Sequence, residues 1–191
     1  MNLNYINAEY QQLGNVCATA SYGIIVEYFS NKKYSVNLFL NNYIKKFKVN
    51  LKDQPSISKQ GQKKLREYRE SQLSEHFHKE CKENGDKRGF EFIVEFHNNN
   101  SFNTLEYCKI KKYKAQLIAI DRREILELRD ELKSGSLAMV LYPIREGNLH
   151  SIVVGYDPKN QKYFKREPND KEIKFEDFLS TNVLTEYILF E

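Results

Sequence analysis

The last third of the chain carries the strongest constraint on its fold. Residues 137–142, 150–156 and 184–190 are dense in Val, Ile, Leu, Tyr and Phe, and residues 162–166 form a shorter run of the same kind. β-branched and aromatic residues in runs of this length, bounded by turn-forming residues, predict strands. The separators fit: Glu146-Gly147-Asn148 lies between the first two runs and Asp157-Pro158-Lys159-Asn160 between the second and third. Connections this short join antiparallel neighbours.

The first part of the chain has a different period. Val16, Ala20, Ile24 and Tyr28 recur every four residues, which predicts a helix over 16–28 with Asn15 as a cap. Phe39, Leu40, Tyr43 and Phe47 mark a second helix over 36–47, with Ser35 or Asn37 as its cap. Residues 56–83 are rich in Lys, Glu, Gln and Arg and predict a solvated helix or helix pair closed by Asn84-Gly85. Residues 90–96, Phe-Glu-Phe-Ile-Val-Glu-Phe, alternate like a strand, and a short strand is expected over 116–120. Ile125, Leu128 and Leu132 share one face of a helix over 122–133 that Asp121 caps and Ser134-Gly135-Ser136 ends. A short helix near 175–179 precedes the final strand. Helices lead and strands follow, the order of an α+β fold in a single domain spanning 1–191, with 50–115 as a mostly helical, variable insertion.

Bulk properties narrow the partners. The 191 residues suffice for one domain with a real core, and 40% hydrophobic against 29% charged residues suits a folded chain. The 13 Tyr and 12 Phe, with no Trp, make rings the main large core pieces. A net charge of +4 is too small to argue for nucleic-acid binding. The basic stretches 59–69 and 109–114 are interleaved with acids or aromatics and read as solvated faces; their functional version is docking to an acidic protein partner or an anionic membrane. Three cysteines form no disulfide framework. No apolar run is long enough for a transmembrane segment, and Met1-Asn2-Leu3-Asn4-Tyr5 lacks the features of a signal peptide.

Two segments carry the chemistry. In Gln11-Gln12-Leu13-Gly14-Asn15-Val16-Cys17-Ala18-Thr19-Ala20-Ser21, a cysteine opens a predicted helix and only small residues follow it. Free N–H groups and the dipole at a helix start favour a thiolate. Gln11, with Gln12 as its competitor, is near enough for its amide to help hold an oxyanion. In Leu149-His150-Ser151-Ile152-Val153-Val154-Gly155-Tyr156-Asp157 a histidine opens a strand. The paired strand 162–166 returns toward it and delivers Glu167-Pro168-Asn169-Asp170, a source of the third group that a general base needs to fix its orientation. Cys81 and Cys108 have no such setting. His76, His78 and Cys81 scatter over different helix faces, so no metal or other cofactor is expected.

This order of motifs resembles the papain-like cysteine protease superfamily, and within it the bacterial peptidase C39-like group, whose relatives include secreted effectors and glutamine deamidases. The resemblance covers residues 11–30 and about 116–190. It implies a papain-like fold, with a helical lobe led by the Cys17 helix packed on an antiparallel sheet. It also implies Cys17 as nucleophile, His150 as base, Gln11 as oxyanion partner and Glu167 as third member, with Asn169 and Asp170 as alternatives. Relatives place Asp before the proline, where this chain has Glu167. The implied activity is hydrolysis of an amide bond in a protein substrate, as a protease or a glutamine deamidase. The implied setting is the producer's cytoplasm or a host cell reached without a classical signal peptide. A papain-like binding module without activity is the rival reading, and a basic nucleic-acid binder the second.

Overall fold

The computed structural model describes residues 17–31, 88–99, 107–116, 119–144, 149–168, 170 and 172–191. Among these the helices are α1 (Cys17–Ser30), α2 (Arg88–Asn99), α3 (Arg122–Lys133) and α4 (Phe178–Thr181). The strands are β1 (Ile110–Ala115), β2 (Leu137–Pro143), β3 (Leu149–Asp157), β4 (Lys162–Arg166) and β5 (Glu186–Phe190). All five strands pair antiparallel in one open sheet of order β1-β5-β2-β3-β4. The protein is therefore of mixed α+β type, and the sheet is not a closed barrel.

The central strands are apolar at most positions because both faces of the sheet are covered. On one face Leu137, Met139, Leu141, Val153, Phe164, Ile188 and Phe190 pack against Ala18, Tyr22 and Ile25 of α1 and Phe90, Ile93 and Phe96 of α2. On the other, Ala138, Val140, Ile152, Val154, Tyr187 and Leu189 meet Leu128 and Leu132 of α3 and Phe178 and Leu179 of α4. α3 follows its expected bounds, with the Asp121 side chain accepting from the Glu124 N–H at 2.9 Å. β4 likewise starts and ends where its sequence run does.

Three elements differ from the sequence reading. Residues 88–99 form a helix rather than a strand. Phe90, Ile93, Phe96 and His97 follow helical spacing and are buried, whereas Glu91 and Glu95 are exposed. The Tyr22 hydroxyl and His97 Nδ1, 2.8 Å apart, tie α2 to α1. The strand expected at 116–120 lies earlier, at Ile110–Ala115, in what reads as a basic solvated stretch. It is an edge strand, and lysines are a usual way to guard an edge against further pairing. Its Lys112 and Lys114 reach Glu124 of α3 at 2.8 and 3.1 Å and hold that carboxyl well below the usual range. The last short helix spans Phe178–Thr181 rather than 175–179. So at least 88–99 and 110–115 belong to the core and sheet, although both fall in the stretch 50–115 read as an insertion. The helices expected at 36–47 and 56–83 lie outside the described residues.

The register places the ends that matter together. Tyr142 lies directly across from His150, and Val153 across from Arg166, so the start of β3 and the end of β4 share one end of the sheet. Gly155 lies across from Phe164, whose ring covers it. A Cβ at 155 would stand 2.6 Å from Leu137 Cδ2 and 2.8 Å from Phe164 Cε1, both in fully buried side chains. Gly155→Ala should therefore destabilise the fold by about 1–3 kcal/mol through overpacking, read from urea unfolding; a wild-type midpoint would contradict this packing.

Candidate active site

Cys17 is the first residue of α1 and half-buried. The helix forms because Ala18, Ala20, Tyr22, Ile24, Ile25 and Val26 are all buried, which fastens α1 to the sheet along most of its length. Backbone N–H groups of a helix's first turn have no partner within the helix and favour negative charge in front of them. The Cys17 side chain lies close enough to His150 to raise the imidazole's proton affinity.

His150 stands at the second position of β3, and Glu167 directly follows β4. Because these strands pair antiparallel, the chain returns to the start of β3 as β4 ends, and His150 Nε2 meets Glu167 Oε2 at 2.8 Å. Nε2 is thereby committed to the carboxylate, which leaves Nδ1 for Cys17. Both side chains are only 20% exposed, so their attraction is weakly screened.

The proton affinities agree with this geometry. The Cys17 and Glu167 hydrogen bonds push His150 up to about 9, outweighing the opposing effect of burial. For Glu167 burial acts to raise the carboxyl, but His150, Lys165 and Lys174 together hold it below its ordinary value. Lys165 Nζ lies 3.7 Å from Glu167 Oε1 and 2.6 Å from Glu176 Oε1, so a cation braces the outer side of the carboxylate.

Of the alternative third members, Asp170 points elsewhere. It pairs with Lys174 at 2.7 Å and accepts from the Glu172 N–H at 3.1 Å. Asn169, Gln11, Gln12, His76, His78 and Cys81 lie outside the described residues. Cys108 is fully buried, and burial pushes its thiol up to about 12, as expected of an inert core cysteine.

Sequence reasoning missed the surroundings of the histidine. The Tyr142 ring packs edge-on to His150 at 5.6 Å and to Phe178 at 4.8 Å, and Lys165 Nζ lies 5.3 Å from the Phe178 ring centre. Burial, with Glu167 and Cys17 nearby, pushes the Tyr142 phenol up to about 12, so it stays a neutral wall of the site. Counting back through the β2–β3 hairpin register would have placed Tyr142 across from His150; no pattern in the sequence signals Lys165. No family model, curated protein or solved structure matches this chain.

The imidazole–carboxylate pair has a stability signature. His150 is raised from 6.5, so its contribution is complete below about pH 6.5 and is lost as pH rises through about 9. Glu167 is lowered from 4.5, so its contribution is present above pH 4.5 and is lost at more acid pH. Glu167→Gln should cost about 1–3 kcal/mol between pH 4.5 and 6.5, with the gap to wild type narrowing toward pH 9 and in acid. Urea unfolding across pH measures this; a gap independent of pH would show that the pair is not charged.

Proposed function

We propose that the protein is a papain-like cysteine hydrolase that cleaves an amide bond of a protein substrate through Cys17, His150 and Glu167. The observation that carries this reading is the 2.8 Å contact of imidazole and carboxylate, with a thiol at a helix start near enough to raise the same imidazole. Further support comes from the order of parts: the thiol on a helix packed against an antiparallel sheet, the imidazole and carboxylate on two neighbouring strands.

In this mechanism His150 Nδ1 takes the Cys17 proton and the sulfur attacks the carbonyl carbon. The Cys17 backbone N–H, at the start of α1, faces the developing oxyanion, and Gln11 is its proposed second donor. Glu167 accepts from Nε2 throughout, keeping the imidazole oriented and favouring its charged form. The imidazolium then gives its proton to the departing nitrogen, leaving a thioester on Cys17. His150 takes a proton from water as its oxygen attacks the thioester carbonyl carbon, and the carbon–sulfur bond breaks to release the acid and restore Cys17. The same steps release an amine from a peptide bond, which is proteolysis, or ammonia from a glutamine side chain, which is deamidation.

Limited alkylation tests the reading. With a substoichiometric amount of iodoacetamide at pH 6, mass mapping should find Cys17 modified at least about tenfold faster than Cys81 and Cys108, because only a thiolate reacts readily. His150→Ala should abolish that preference. Slow, equal labelling of the three cysteines, unchanged by the substitution, would leave a binding module as the better account.

A further inference from the structure

Among the described residues four buried side chains carry a polar atom with no hydrogen-bond partner, and three of them lie within four residues of a member of the proposed triad. The Ser21 and Ser151 hydroxyl oxygens are two; the third is Arg166, whose Nε and Nη1 are both unpartnered. Ser21 lies one helical turn after Cys17, Ser151 follows His150, and Arg166 precedes Glu167. Both serines are 0% exposed and Arg166 is 4% exposed.

The register brings them to one layer. Val153, directly across from Arg166, belongs to the core cluster that includes α1, so the Arg166 side chain leaves the sheet toward α1. Ser151, two residues along β3 from Val153 and across from Leu141 of the same cluster, faces the same way. It is diagonal to Arg166 across the strand pair, a relation that spans roughly 7–8 Å and that a long side chain bridges. Ser21 is three residues after Ala18 and four before Ile25, both in that cluster, so it lies on the helix face toward the sheet.

A guanidinium is always charged and does not escape burial by losing its proton. Buried charges are paired, and an unpaired one is costly. The carboxylate whose charge reaches Arg166 is Asp170, and its 2.7 Å ion pair is with Lys174. We infer that Arg166, Ser21 and Ser151 form a binding site for a small inorganic anion of the halide class, held between α1 and the β3–β4 pair behind the triad. Two hydroxyls and the Arg166 guanidinium supply donors toward the anion, and Asp170, the carboxylate whose charge reaches Arg166, is neutralised by Lys174. The near-complete burial of all three residues selects a monatomic ion over an organic acid or phosphate. The bound anion neutralises Arg166 and braces the helix that carries Cys17 against the strands that carry His150 and Glu167. The site stands on these residues whether or not Cys17 is a nucleophile.

The test is thermal unfolding of the full chain in sodium chloride against sodium gluconate at matched ionic strength. A ligand that binds only the folded state raises the midpoint, here by a few degrees and saturably with chloride. Arg166→Met should lose that dependence. Equal midpoints in the two salts, or a chloride effect that persists in Arg166→Met, would overturn the site; so would a carboxylate of the chain itself occupying Arg166, which gives equal midpoints. If Arg166→Met does not fold, anomalous diffraction from wild-type crystals grown in bromide decides. A bromide peak against Arg166, Ser21 and Ser151 supports the site, and its absence there overturns it.

Discussion

The hydrogen bond between His150 and Glu167 depends on almost everything else in the described structure. It requires β3 and β4 to pair in one register, so that the chain leaving Arg166 returns beside the residue that opens β3. A slip of one residue would move Arg166 and Glu167 each to the other face and separate the carboxylate from His150. Gly155 guards that register, because only a residue without a side chain lets the Phe164 ring lie across it. The same pairing puts Val153 beside Arg166 and sets the buried polar layer behind the site.

The second requirement is that α1 stay fixed. Its helix is buried on nearly all sides between the sheet and α2, and Tyr22 is joined to His97 within that core. A helix this enclosed cannot rotate without breaking several packing contacts, so Cys17 is held where the imidazole is. On the far face α3 and α4 close the sheet, and the Glu124 cluster fastens α3 to the lysine-rich edge strand β1. The proposed anion fits this picture as a brace between the helix and the two strands whose ends meet at the site.

Sequence reading reached furthest where local chemistry and tertiary burial agree. α3 has a capping aspartate, a periodic apolar face and a Ser-Gly stop, and each points to the same bounds. β2, β3 and β5 are dense in strand-forming residues because both of their faces are largely buried. Residues 88–99 mislead because the run Phe90-Glu-Phe-Ile-Val-Glu-Phe96 is rich in the aromatic and β-branched residues that favour strands. The spacing that governs is that of Phe90, Ile93 and His97, which suits a helix lying on the sheet. β1 is hidden by its lysines, whose acidic partners come from α3 and are not local. The proximity of Cys17, His150 and Glu167 was legible because the helix start, the strand start and the strand end are all marked locally. Tyr142, Lys165 and the Arg166 layer were not, since their positions follow from register and from which face each strand presents.

In the proposed mechanism Cys17, His150 and Glu167 form one coupled charge system. The most direct measurement is titration of the His150 ring nitrogens by NMR in wild type and in Cys17→Ser. Wild-type His150 should keep its second proton to about pH 9, and the titration should move down toward 6.5 when the thiol is replaced. A wild-type titration near 6.5, unchanged by Cys17→Ser, would contradict it.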